Sequence, residues 1–336
     1  MNDEKLVNIL TCREGYESTL AAESGGFGVE ASGFVECSGP LPMHSFIFER
    51  QRITDAVSQP LSLTRPLSRQ MAKSMLQQVL DVDTLWTTHA WSADPDQQSR
   101  VQGVERALIH ECKKLDTGSW KCWRKAEKLQ QRNTGLVVQL FRSGQVLWTG
   151  TSEVAALCDP FVGGIRRMKM DPVAPSRSYL KMEEALSYLG IEPESGQTVV
   201  DLGAAPGGWS WSFLKRGCHV TSVDNGPIKI ENPGVYGGQL EHVRLDGITF
   251  IPDAPVDWMV CDMLIPPGQV IGMLRKWIEK RLARHVIFNV KLPHQEPYAG
   301  LAPLMNYLED TVGDAMRLKQ LYHDRREVTC FGTLNA

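Results

Sequence analysis

Val199-Val200-Asp201-Leu202-Gly203-Ala204-Ala205-Pro206-Gly207-Gly208-Trp209 is an apolar run that breaks into a glycine-rich turn and resumes as the start of a helical pattern. A turn of that kind at the carboxyl end of a strand lets a ligand approach the backbone closely. Asp224 closes the next apolar run, 21 residues after Gly203. A carboxylate at that point accepts hydrogen bonds from both hydroxyls of an adenosine ribose. The turn is not Gly-x-Gly-x-x-Gly, and proline stands where a pyrophosphate-binding loop needs free backbone donors. A cofactor lacking phosphate is therefore favoured over NAD. A purely structural turn, with Asp224 as a cap, leaves two features at the right spacing unexplained.

Outward from this turn the pattern is strongly periodic. Helices are expected at about 176–189, 208–216 and 268–283, with another opened by Pro303. Strands are expected at 198–203, 218–224, 240–245, 256–262 and 284–291, with a closing pair at 317–322 and 327–333. Strands alternating with helices predict an α/β fold, a parallel doubly wound sheet in which the closing pair supplies an antiparallel edge. Asp171-Pro172-Val173-Ala174-Pro175 and the preceding Gly163-Gly164 read as a linker, so this domain is assigned to residues 166–336.

Two smaller α+β modules precede it. Residues 1–60 read as strand, helix, strand, strand, an order that fits a ferredoxin-like unit. Residues 61–165 hold two amphipathic patterns, one with Met71, Met75, Leu76, Val79 and Leu80, the other with Val101, Val104, Leu108, Cys112 and Leu115. They end in a hairpin around Arg142-Ser143-Gly144-Gln145.

Of 336 residues, 42% are hydrophobic and 22% charged, with no apolar run long enough for a membrane span and no signal peptide at the start, which predicts a cytoplasmic protein. Eight scattered cysteines without a Cys-x-x-Cys exclude a disulfide framework and structural zinc, and no metal is expected. The net charge of −3 hides a division: residues 1–60 carry −5, residues 61–170 carry +6 and the rest −4. The densest basic stretch, Lys113 to Arg132, includes Lys121, Arg124, Lys125 and Lys128 with Trp120 and Trp123. Cations beside aromatic rings suit single-stranded RNA; the plain alternative is one buried helix face with a wet basic side. Arg166 and Arg167 add positive charge in the linker.

Lys291 and Asp262 end the apolar runs Val286 to Val290 and Trp258 to Cys261. Polar residues at the ends of two central strands point to a site rather than to packing. With Ala174-Pro175-Ser176-Arg177-Ser178-Tyr179-Leu180-Lys181, Ser222 to Pro227, Met259 to Met263, Phe288 to Pro293 and Leu321 to Thr329, the chain resembles the S-adenosylmethionine-dependent ribose 2'-O-methyltransferases with a Lys-Asp-Lys-Glu tetrad. Among these it is most similar to the large-subunit ribosomal RNA methyltransferase M family, which modifies a cytidine of 23S RNA. Six blocks in order carry that resemblance, and Ala205 stands where relatives are expected to carry cysteine.

The resemblance implies a Rossmann-like catalytic domain behind ferredoxin-like and THUMP-type RNA-binding domains. It implies Lys291 as general base, with Lys181, Asp262 and Glu327 completing the tetrad. It implies S-adenosylmethionine contacts from Ser178, Ala205, Pro206, Gly207, Gly208, Asp224, Asp246 and Asp262, and large-subunit ribosomal RNA as partner. Asp246-Gly247 also reads as an ordinary turn. A monomer is the default, since no self-complementary apolar surface is identifiable. The same motifs fit another RNA, such as transfer RNA. An NAD(P) oxidoreductase leaves Lys181, Lys291 and Glu327 without a joint role, and a non-catalytic RNA-binding assembly factor predicts a broken tetrad.

Overall fold

The computed structural model describes residues 7–28, 33–60, 85–114, 118–125, 134–263 and 265–334. The helix expected around Met71 to Leu80, and Leu115, Lys128 and Arg132, lie outside the described residues. The chain divides into two compact units, residues 1–166 and 167–336.

Among the described residues the first unit holds a seven-stranded sheet and two α-helices. Its elements are β1 (Val7–Thr11), α1 (Glu17–Ser24), β2 (Phe27–Gly28), β3 (Phe34–Cys37), β4 (Gln51–Pro60), β5 (Trp86–Ser92), α2 (Gln98–Lys114), β6 (Leu136–Ser143) and β7 (Val146–Glu153). The sheet order is β2-β3-β1-β4-β7-β6-β5. One half of β4 pairs with β1 through Gln51 to Ala56, and the other half with β7 through Val57 to Pro60. The modules expected at 1–60 and 61–165 thus share one sheet. A ten-residue strand is long enough to satisfy its backbone groups against one neighbour and then another. All its pairings are antiparallel except β5 with β6.

The second unit has α3 (Tyr179–Leu189), β8 (Thr198–Leu202), α4 (Gly208–Leu214), β9 (His219–Val223), β10 (Gln239–Val243), β11 (Val256–Cys261), α5 (Pro267–Glu279), β12 (Ala283–Lys291), α6 (Ala302–Val312), β13 (Met316–Lys319) and β14 (Glu327–Thr333). The order β10-β9-β8-β11-β12-β14-β13 is parallel through β12, and β14 runs antiparallel to both its neighbours. The expected doubly wound sheet with an antiparallel edge is present. The central strands are continuous apolar runs because both faces are covered: Trp209 and Phe213 of α4, Met182 and Leu186 of α3, Trp258 of β11 and Ile287 of β12 are all buried in one core.

Strand order places the site. From β8 the chain moves one way to β9 and β10, then returns across β8 to β11 and β12. That reversal opens a crevice at the carboxyl end of β8, where the turn at 203–208 lies.

Candidate active site

Three elements bring three charged side chains together. Lys181, in the first turn of α3, places its Nζ 2.6 Å from Glu327 Oε1 at the start of β14 and 3.3 Å from Asp262 Oδ1 just after β11. Burial alone pulls an ammonium down, but Asp262 and Glu327 outweigh it and hold Lys181 above the usual lysine range. Lys181 therefore stays charged. Burial pushes the Asp262 carboxyl up from its usual range, while Lys181 pulls it back.

Lys291 completes the group by register. It stands directly across from Glu327 in the antiparallel β12–β14 pair, so the two side chains leave the same face of the sheet. Its side chain is exposed and makes no hydrogen bond or ion pair among the described residues. The four residues thus divide into an ion-paired trio and one open amine.

The glycine turn lies at the same edge. Gly207 has φ 111°, a left-handed conformation that L side chains rarely adopt, and a Cβ there would press on Ile230. A Cβ on Gly208 would collide with Ser178 Oγ and Ser176 Oγ. These two hydroxyls lie 2.7 Å apart, and Trp209 Nε1 donates to the Ser178 carbonyl at 3.0 Å, tying the turn to the start of α3. The Ala205–Pro206 peptide is cis. Asp224, half-buried after β9, accepts from Ala205 N at 3.0 Å and Gly226 N at 2.6 Å, one bond on each oxygen. Each oxygen keeps a second lone pair. Exposed Asp246 accepts from Ile248 N at 2.9 Å, the turn its Asp-Gly pair suggests, and buried Gly247 packs against Gly203 N and Met263.

A family profile described as FtsJ-like methyltransferase matches residues 174–296. The ribosomal RNA large subunit methyltransferase M of Stutzerimonas stutzeri (strain A1501) is 33% identical over 345 residues, covering 96% of this chain and 97% of the relative. The protein of the same name from Thauera aminoaromatica is 31% identical, covering 96% and 94%. The chain belongs to the ribosomal RNA large subunit methyltransferase M family. Among solved structures, magnesium protoporphyrin IX methyltransferase from Synechocystis PCC 6803 with bound SAM is 16% identical at a TM-score of 0.35, over 50% of this chain and 86% of that one.

In this methyltransferase M family member Lys113 and Lys114 close α2, and Trp120 and Trp123 lie beyond that helix. Residues Gly118–Cys122 form a short 3-10 turn, and Trp123 bridges to Trp86 of β5. Trp120 and Trp123 stack on each other with centroids 5.1 Å apart and pack against the core of the first unit. The indoles belong to that core, while Lys121, Arg124 and Lys125 are exposed. Arg167 is exposed too, but Arg166 is buried, 3.2 Å from Asp159 Oδ2 and over the Phe161 ring. Grouping Arg166 with the RNA-facing cations is corrected: its guanidinium neutralises a buried carboxylate and is not presented to a polyanion.

Sequence reasoning gave no role to five polar residues next to the site. Asp201 is fully buried on β8, its Oδ2 accepting from Ser210 Oγ at 2.6 Å and its Oδ1 without a partner among the described residues. Burial pushes its carboxyl up to about 7, with Asp262 and Asp224 adding repulsion. Glu184 of α3 holds the loop before β14, accepting from Tyr322 N, His323 N and His323 Nδ1. Asn289, Thr329 and Asp324 lie behind the tetrad. The available signal was a single amide inside the apolar run of β12 and a threonine two residues after Glu327, on the same strand face. Among the described residues, no cluster of three potential metal ligands occurs and no helix is long and apolar enough to cross a membrane.

Proposed function

We propose that this chain transfers a methyl group from S-adenosylmethionine to the ribose 2'-hydroxyl of a cytidine in large-subunit ribosomal RNA, with Lys291 as general base. One observation carries the reading: at the edge of the sheet that bears the glycine turn, Lys181 is locked as an ammonium between Asp262 and Glu327, while Lys291 beside Glu327 is left open.

The turn residues fit an adenosine-bearing cofactor. Gly207 and Gly208 keep the backbone clear of side chains, Asp224 retains lone pairs for ribose hydroxyls, and Asp246 sits in a turn packed on Gly203. Ser178, Ala205, Pro206 and Asp262 complete the candidate contacts. When bound, S-adenosylmethionine supplies a methyl group activated on a sulfonium.

The chain must align the hydroxyl and remove its proton, since a ribose hydroxyl is a very weak acid. Lys291 Nζ accepts that proton. Glu327, opposite it in register, and Asp262 hold Lys181 in a fixed position, so the tetrad presents one stationary positive charge and one proton acceptor.

Residues 1–60 are read as a ferredoxin-like module and 61–165 as a THUMP-type module that hold the RNA, supported by exposed Lys121, Arg124 and Lys125, with exposed Arg167 of the linker beyond them in the chain. We read the protein as a monomer acting in the cytoplasm. Methyl-labelled cofactor, incubated with the purified protein and unmodified large-subunit RNA and followed by digestion to nucleosides, tests the reading. Labelled 2'-O-methylcytidine is expected. Label in another nucleoside or on a base would overturn the cytidine or the ribose assignment, and cofactor binding without label in this RNA would redirect the search to transfer RNA or an assembled particle.

A further inference from the structure

Behind the tetrad, three buried polar side chains form an ordered line that ends on Asp262. Asn289 and Thr329 face each other in the β12–β14 register, one pair deeper than Lys291 and Glu327 on the same sheet face. Asn289 Nδ2 donates to Asp262 Oδ1 at 2.6 Å. Thr329 Oγ1 lies 2.8 Å from Asn289 Oδ1, and 3.2 and 3.1 Å from the two oxygens of Asp324. Asp324 is fully buried in the loop before β14, where its Oδ2 also accepts from Leu321 N at 2.9 Å.

Donor counting fixes the direction of this line. Asp262 only accepts from Asn289, so the amide must present its NH2 there and its oxygen to Thr329. A hydroxyl has one proton, and Thr329 uses it on Asn289 Oδ1. The Asp324–Thr329 contact is then a hydrogen bond only if Asp324 carries a proton and donates it.

We propose that Asp324, Thr329 and Asn289 are positioning residues for methyl transfer, a one-way hydrogen-bond chain from a neutral Asp324 carboxyl that aims Asp262 at Lys181. The proposal rests on the reading of the tetrad as catalytic. The surroundings agree with it: burial first, and the nearby Glu327 second, raise the Asp324 carboxyl well above the usual carboxylate range. The consequence is mechanical. Asp262 Oδ1 receives both Asn289 and Lys181, so losing the amide donor frees the carboxylate to turn, and Lys181 loses one of its two anchors.

Thr329→Val removes the hydroxyl at nearly constant volume. It is expected to lower kcat about tenfold or more while S-adenosylmethionine and RNA affinities stay within about twofold. Thr329→Ser is expected to restore kcat to within about threefold of the parent. Asp324→Asn, whose amide donates where the acid does, is expected to be far less impaired than Asp324→Ala. A Thr329→Val enzyme with parental kcat, or a Thr329→Ser enzyme as slow as Thr329→Val, would overturn the chain. A separate readout does not depend on turnover: the infrared difference between the parent and Asp324→Asn at neutral pH should contain the carbonyl stretch of a protonated carboxyl group. Its absence sinks the proposal even if methylation is robust; its presence in a protein that methylates no RNA would instead sink the catalytic reading of the tetrad.

Discussion

The two units each build a seven-stranded sheet and each bury an ionisable side chain in a strand, yet among the described residues it is the second that gathers the candidate site residues along one edge. In the first sheet neighbouring strands mostly run in opposite directions, so strand ends, and the polar residues there, are shared between its two edges. Two pairs of its buried charges neutralise one another: Arg52 binds both oxygens of Glu49 at 2.6 Å, and Arg166 pairs with Asp159. In the second sheet five parallel strands finish at the same edge, and Asp201, Asp224, Asp262 and Lys291 all lie at or just beyond those finishes. Parallel topology gathers chemistry that antiparallel topology disperses.

The largest expected effect tests that edge directly. Lys291→Ala should lower kcat by roughly 10²- to 10⁴-fold, the range for losing a general base, with S-adenosylmethionine affinity by calorimetry unchanged within about twofold. An equal loss of cofactor binding would make Lys291 part of the binding surface and erase the distinction between turn and tetrad.

The buried groups sharpen the comparison through opposite pH dependences. The folded-state carboxyl of Asp201 sits at about 7 against an ordinary 3.8, so the folded chain holds its proton more tightly than the unfolded chain. Stability from this residue is present at low pH and is lost as pH rises from about 4 to about 7, by up to about 4 kcal/mol. Urea unfolding of Asp201→Asn should show that slope removed; an unchanged slope would mean Asp201 stays ionised in the fold. His89, buried on β5 with an unpartnered Nδ1, is pulled by burial from 6.5 to about 4. It works in the other direction, costing stability as pH falls from about 6.5 to about 4, by up to about 3 kcal/mol. His89→Leu should flatten that acid limb and leave the Asp201 slope in place. If it alters both limbs equally, the two units do not titrate independently.

The smallest effect concerns the first unit's exposed cations. Replacing Lys121, Arg124 and Lys125 together with glutamine should weaken RNA binding and make the logarithmic salt dependence shallower by about 2, at roughly 0.7 per phosphate contact for single strands. An unchanged slope would leave those residues as a solvated surface.

Much of the catalytic unit was legible in the sequence because its strands are short apolar runs closed by polar residues. Each of the eleven-residue signals around Gly203 and the run-ends at Asp262 and Lys291 is a local statement. The strand bounds agree to within two residues, except those of β13, which ends at Lys319 rather than 322. There the loop turns away to be held by Glu184 and Asp324, a constraint from distant residues. The first unit was less legible. Nothing local in Gln51–Pro60 says that one strand will serve two partners, and the Trp120 and Trp123 spacing suggested a helix where a 3-10 turn stacks both rings on the core.

Sequence alone determined the α/β periodicity, the glycine turn and the carboxylate 21 residues beyond it, because each depends on residue type and short-range spacing, while family resemblance named the four tetrad candidates. Only the tertiary structure decided how they divide. The 81-residue separation of Lys181 from Asp262 closes to 3.3 Å, and strand register sets Lys291 opposite Glu327 without pairing it. Burial then gives Arg166 to Asp159 instead of to a ligand. Which charges are neutralised and which remain open depends on packing between distant segments and on the water it excludes, and no local pattern of residues encodes that.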